Sequence, residues 1–333
     1  MSDSPVPVVD IGPYLAGSSV GKSQVAAAVD EACRNLGFLA ISGHDIDPDL
    51  IESMLAISRE YFARPVDEKM RQKMPPDRYR GYTPLGAEIL AASLDEVTPP
   101  DLKESFSIGP TDVPNDGYHT VPAAGTFFAP NMWPEEPASL REVWTAYYAA
   151  MEGLATDLMR IFALALGLPE DFFDNKVDKH ITNFSVIHYP DQATPPQPGQ
   201  LRAGAHTDYG SLTILYQEAA DGGLQVNTPD GSWRDVPAIP GTMVVNLGDL
   251  MAEWTNDRWR STLHRVVNPP NAAGCDRLSM PFFHQPNYDA VIECIPSCCS
   301  TDNPPRYGTT TSGAHVKAKI GKHREADIAS SSA

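Results

Sequence analysis

The sequence predicts an α+β fold that is mainly β, a double-stranded β-helix (jelly roll) core flanked by helices. The first observation is a change of character along the chain. Up to about residue 166, apolar residues recur at the spacing of one helix face. From residue 180 they fall into short β-branched and aromatic runs with frequent turns. The second observation is that these runs are short and many, which suggests antiparallel strands that manage their edges by packing as two sheets. The third is size. A chain of 333 residues, 42% of them hydrophobic, can bury a sizeable core as one large domain or two modest ones, and no internal repeat divides it.

Taken in order, Pro7–Ile11 reads as a short strand. Residues Ser23 to Leu36 have helical spacing, with Val25, Ala28, Val29, Ala32 and Leu36 on one face. A second strand, Phe38–Ile41, is followed by a helix from Pro48 to Ala63 and a short one after Pro65. Pro and Gly make Tyr118 to Pro137 irregular. The longest helix runs from Leu140 to Leu166. Its Trp144, Tyr147, Tyr148, Met151, Leu154, Leu158 and Phe162 recur at three and four and mark a core face. Beyond residue 180 the strands are Asn183–Tyr189, ended by Pro190, then Ser211–Tyr216, Leu224–Val226 and the buried run Thr242–Leu247. Strands at Trp259–Asn268 and Asp276–Phe283 follow, joined by a turn through Pro269–Gly274. Asp249–Trp254 is a short helix or turn, a final helix starts near Ser312, and the tail Ser330–Ala333 is expected to be loose.

Gly204-Ala205-His206-Thr207-Asp208-Tyr209-Gly210 carries the chemistry. Read as part of a strand, it points His206 and Asp208 to one face. An imidazole and a carboxylate there form two corners of a metal site, and His264, in its own strand-like run, is the candidate third. Two His and one carboxylate on one side of a metal, with the other side open, is the arrangement of non-haem Fe(II) oxygenases. By itself His-x-Asp is a weak signal that more often describes a surface Asp beside a structural His. What favours the metal reading is Arg277, two residues before Ser279 and so on the same strand face. A guanidinium fork with an adjacent hydroxyl suits the far carboxylate of a small dicarboxylic acid.

Composition excludes several classes. Net charge is −18, which repels nucleic acid and anionic membrane. No run of eighteen apolar residues suggests a membrane span, and the N-terminus lacks a signal-peptide pattern, so a cytoplasmic location is expected. The cysteines, Cys33, Cys275, Cys294, Cys298 and Cys299, are odd in number and include a vicinal pair. They read as reduced thiols rather than a disulfide framework.

These motifs, with Asn246-Leu247-Gly248-Asp249-Leu250, Trp254-Thr255-Asn256, Ser261–Val266 and Arg277–Phe283, give the chain its resemblance. It resembles the isopenicillin N synthase-like family of 2-oxoglutarate- and Fe(II)-dependent dioxygenases from about residue 5 to about residue 320. The resemblance implies Fe(II) on His206, Asp208 and His264, with 2-oxoglutarate as co-substrate and dioxygen as oxidant. It places the co-substrate's 5-carboxylate on Arg277 and Ser279, with Tyr189 beside them, and implies release of succinate and carbon dioxide. Tyr82, Ser185 and Phe283 become candidate substrate contacts, with Ser185 standing where many relatives carry Arg. Residues 1–120 would pack as a helical and strand region on a core spanning 121–333, the whole forming one unit. The expected substrate is a small specialised-metabolite or amino-acid-like molecule, oxidised by hydroxylation, desaturation or cyclisation. The expected assembly is a monomer or weak homo-oligomer, with neither nucleic acid nor membrane as partner. Two alternatives within the family are an oxidase independent of 2-oxoglutarate and an ethylene-forming relative. Outside enzymes, the alternative is a non-catalytic jelly-roll protein.

Overall fold

Local capping sets where the first helices begin. The Ser18 hydroxyl accepts from the Gly21 amide at 2.9 Å, so the helix starts at Ser19 and runs to Asn35, four residues ahead of the expected start. Asp47 caps the helix Pro48–Phe62 in the same way, with Pro48 in the first turn. Beyond the first helix the chain passes through Gly37 at φ +69°, where a Cβ would stand 2.0 Å from the Arg260 carbonyl. Only glycine allows that turn and that approach together.

The computed structural model describes residues 4–192, 194–219, 223–270 and 276–320. The tail, Cys275 and the centre of the turn at Pro269–Gly274 lie outside the described residues. In chain order the strands are β1 Val8–Asp10, β2 Phe38–Ser42, β3 Gly81–Thr83, β4 Glu104–Ile108, β5 Asn183–Tyr189 and β6 Ala203–His206. They continue as β7 Leu212–Gln217, β8 Gly223–Asn227, β9 Trp233–Asp235, β10 Met243–Leu247, β11 His264–Val267 and β12 Arg277–His284.

Two sheets form the jelly roll. The larger has the order β1-β2-β10-β7-β12-β5-β4-β3, and the smaller β6-β11-β8-β9. Only the β1–β2 pair is parallel within them. Strands from the first 120 residues extend both edges of the larger sheet. One face of that sheet is apolar and receives the helix Leu140–Ala165, whose predicted core face is buried throughout. Edge-to-face contacts join Trp144 to Phe106 and Phe184, each at 5.4 Å, and Tyr148 to Phe282 at 5.2 Å. Period-two alternation sends the next residues along the same strands to the opposite face. There Ser107, Ser185, Ser279 and Thr213 line a cavity of about 640 Å³ closed by the smaller sheet. Residues 312–320 are helical, as expected, and Val316 and Ile320 bring that helix to the cavity wall.

Candidate metal centre

His206 and His264 face each other as direct cross-strand partners of β6 and β11, with ring centroids 4.3 Å apart. Asp208 does not reach them by strand alternation. The strand ends at His206, and Asp208 sits in the loop beyond it. That loop is held by the start of the helix Asp249–Trp254, where the Asp249 amide donates to the Asp208 carbonyl at 2.8 Å. The packing needs two glycines. A Cβ on Gly248 would meet the Gly210 carbonyl at 2.3 Å, and one on Gly210 would meet the His284 carbonyl at 2.5 Å.

The three side chains bring ligand atoms within 4.8 Å of one another, and Asp208 Oδ1 lies 3.8 Å from His264 Nε2. Each imidazole is oriented by a backbone carbonyl. His206 Nδ1 donates to Gly204 O at 2.8 Å and His264 Nδ1 to Thr262 O at 3.1 Å. Both Nε2 lone pairs are therefore bare and directed inward. Asp208 Oδ2 accepts from Thr213 Oγ1 and Asn246 Nδ2, each at 2.6 Å, leaving Oδ1 for another partner. Burial, then the nearby His264, holds His206 down to about 3, so its ring is neutral. Burial alone would raise Asp208. The two imidazoles and the Thr213 and Asn246 bonds outweigh it and keep the carboxylate ionised. Two imidazoles that turn Nε2 inward and one carboxylate with a free oxygen fit a divalent cation with open positions on its cavity side.

Arg277, on β12, opens onto the same cavity. Its Nη2 donates to Gln217 Oε1 at 2.9 Å and its Nε to the Glu218 carbonyl at 3.3 Å. Among the described residues Nη1 has no hydrogen-bond partner, on a side chain only 2% exposed. Burial lowers the pKa of this guanidinium, and an orphaned cationic donor of this kind calls for an anion. Ser279 lines the cavity two residues along the strand, and the Tyr189 ring lies 5.2 Å from the guanidinium carbon.

Of the candidate substrate contacts, Ser185 and Phe283 line the cavity. Tyr82 also borders it. It pairs with Phe106 on the opposite sheet face, and its hydroxyl donates to Glu104, so it has no donor free for a substrate. Sequence reasoning assigned no role to Thr213, Asn246 and Gln217. Their common signal is that each stands on the inward face of a strand in register with a neighbour already named: Thr213 opposite Phe283 and Asn246, Gln217 opposite Ser279.

Comparison with known proteins gives two family matches. Residues 6–136 match the non-haem dioxygenase in morphine synthesis N-terminal family, and residues 181–286 the 2OG-Fe(II) oxygenase superfamily. A 2-oxoglutarate-Fe(II) type oxidoreductase of Emericella nidulans is 34% identical, over 93% of this chain and 88% of its own length. A homoarginine-6-hydroxylase of Oryza sativa subsp. japonica is 32% identical over 95% and 96%. The crystal structure of a full-length Neurospora crassa protein in complex with alpha-KG and thymine superposes with a TM-score of 0.83. It is 32% identical, covering 95% of this chain and 96% of that one.

Proposed function

This chain belongs to the 2OG-Fe(II) oxygenase superfamily, and from that membership we propose that His206, Asp208 and His264 hold the ferrous ion and that Arg277, Ser279 and Tyr189 receive 2-oxoglutarate. The enzyme is a 2-oxoglutarate-dependent dioxygenase that oxidises a small molecule. Bound Fe(II) with 2-oxoglutarate supplies the means of activating dioxygen, with succinate and carbon dioxide released.

The protein's own residues do the positioning. Thr213 and Asn246 hold Asp208 by one oxygen so that the other faces the cavity. The Gly204 and Thr262 carbonyls fix the imidazole tautomers. Gln217 and the Glu218 carbonyl aim the guanidinium, leaving Nη1 for the co-substrate's far carboxylate. Leu215, Leu224, Val266 and Pro281 give the cavity apolar walls that limit water around the reacting groups.

One observation carries this reading: the triad and a buried, incompletely paired arginine open onto a single cavity. Hydroxylation is the reaction we favour, supported by the hydroxylase among the relatives. Residues 1–120 brace the core of 121–333 in this reading. An acidic protein of net charge −18 acting in the cytoplasm on a diffusible metabolite, as a monomer or weak homo-oligomer, completes it. Among the described residues, no helix is long and apolar enough to cross a membrane.

Anaerobic titration of the full chain with Fe(II) and then 2-oxoglutarate tests the site. A visible charge-transfer band on adding 2-oxoglutarate is expected, and its loss in His206→Ala and Asp208→Ala with the loss of bound iron. Normal iron content in both variants would remove the triad from the metal site.

A further inference from the structure

At the β4–β5 side of the cavity, two hydroxyls and an amide form a chain that starts on a buried guanidinium. Arg80 Nη1 donates to Asn183 Oδ1 at 2.8 Å. Arg80 can only donate, so this bond fixes which way the Asn183 amide points. Asn183 Nδ2 then donates to Ser185 Oγ at 3.2 Å, and Ser185 Oγ lies 2.7 Å from Ser107 Oγ, its cross-strand partner on β4. The guanidinium has no room to swing away. A Cβ on Gly109 would stand 1.8 Å from its Nη2, which also donates to the Phe127 carbonyl.

Counting hydrogens along this chain leaves one over. The serine pair has two hydroxyl hydrogens, and the bond between the oxygens uses one. Among the described residues neither hydroxyl donates to any other acceptor. Whichever serine donates within the pair, the other hydrogen is unclaimed. Both serines line the cavity and are 4% and 5% exposed, so bulk water is a poor substitute for a partner. The amide that donates to Ser185 is itself held by a cation, which strengthens that hydroxyl as a donor.

We propose that the Ser107–Ser185 pair is a substrate-selecting hydrogen-bond donor, oriented by Arg80 through Asn183, that takes a carbonyl oxygen or aromatic ring nitrogen of the small-molecule substrate. The proposal rests on the site reading above, since that reading makes this cavity the place of oxidation. A neutral donor selects by the presence of an acceptor, so a substrate with only C–H bonds at this position leaves a buried donor unmet and is rejected.

The test uses the full chain loaded anaerobically with Fe(II) and 2-oxoglutarate. Two probes of matched shape are used: acetophenone, which has a carbonyl, and α-methylstyrene, which has a methylene in its place. Binding is read from the relaxation of probe protons, and the charge-transfer band is recorded first. A missing band overturns the site reading itself, before any probe is added. With the band present, Ser185→Thr keeps a hydroxyl and Ser185→Val replaces it with a methyl of the same size. Acetophenone is expected to bind the Thr variant about fivefold more tightly than the Val variant, the worth of one hydrogen bond, with α-methylstyrene indifferent to the exchange. Asn183→Ala should weaken acetophenone binding in the same direction. Equal acetophenone affinity for the Thr and Val variants, with the band intact in both, overturns the proposal.

Discussion

At the scale of single residues, the site divides into groups that hold the metal and groups that hold the co-substrate, and their variants should separate. Asn246 donates to Asp208 Oδ2 from β10 without being a ligand candidate itself. Its loss frees that oxygen to compete with Oδ1, so Asn246→Ala should lower Fe(II) affinity about tenfold, the usual worth of an outer hydrogen bond to a ligand. Chelator competition under anaerobic conditions measures it, and an unchanged affinity would mean that Thr213 alone holds the carboxylate. Arg277→Ala acts on the other half. It removes the cationic partner of a carboxylate, so the apparent KM for 2-oxoglutarate should rise about thirtyfold while Fe(II) affinity stays within twofold. A KM that does not move would place the co-substrate elsewhere in the cavity. The ligand types could be read from the sequence because their chemistry is narrow: few residues other than His and Asp make an open ferrous site. For Tyr82, an aromatic near a glycine, the sequence carries no mark of which sheet face it takes or of its partner Glu104, which accepts from its hydroxyl.

At the scale of elements, the clearest unforeseen feature is a polar network on the sheet face opposite the cavity. His188 on β5 bonds Glu104 of β4 through Nδ1 at 2.8 Å and Asp276, beside β12, through Nε2 at 2.5 Å. Lys69 and Tyr82 also donate to Glu104, and Arg59 joins Asp276 to Glu218, whose carbonyl accepts from Arg277. Period-two reasoning placed His188 away from Tyr189's face, which is where it lies, but could not supply its partners, since they come from strands far apart in sequence. Burial alone would lower His188. Glu104 and Asp276 outweigh it and raise its pKa above 6.5. A raised imidazole adds stability that is fully present below about pH 6.5 and is lost as pH rises through the folded-state value. The two carboxylates are lowered, so their share runs the other way and is lost only in acid. In His188→Gln the imidazole's share is absent at every pH. The Tm gap between wild type and variant should therefore be about 2 °C near pH 6 and shrink toward pH 9, as read by thermal unfolding across that range. A gap that stays constant would show that His188 acts by shape and not by charge. Register explains most of what the sequence left open. Alternation gave faces and turns gave strand ends, but only the pairing of β6 with β11 and of β4 with β5 makes a metal centre from His206 and His264, or a donor pair from Ser107 and Ser185.

At the scale of the whole molecule, composition foretold the surface and said nothing of the cavity. The chain carries 43 acidic and 25 basic residues, yet among the described residues Lys69, Arg80, Lys103, Arg202 and Arg277 are buried against Asp101, Glu104 and Asp208. Part of the basic charge is thus spent inside, which leaves the exterior more acidic than the total of −18 suggests. Two effects of salt then compete. Screening weakens the attractive ion pairs of the surface, of which Arg34 with Asp30 and Arg306 with Asp257 are examples, and each such pair is worth at most about 1 kcal/mol. Screening also relieves the mutual repulsion of the surplus carboxylates, which acts between every pair of them and grows with net charge. With so large a surplus the second effect should win. Raising NaCl from about 0.05 to about 0.5 M shortens the Debye length from roughly 14 to roughly 4 Å, and Tm should rise by several degrees. The same rise is expected with choline chloride, because the effect is general screening rather than site binding of sodium. At pH 5, where protonation has begun to remove carboxylate charge, the rise should be smaller. A Tm that falls with salt at pH 7.5 would mean that paired charges dominate the surface and that the excess acid is too spread out to destabilise the fold.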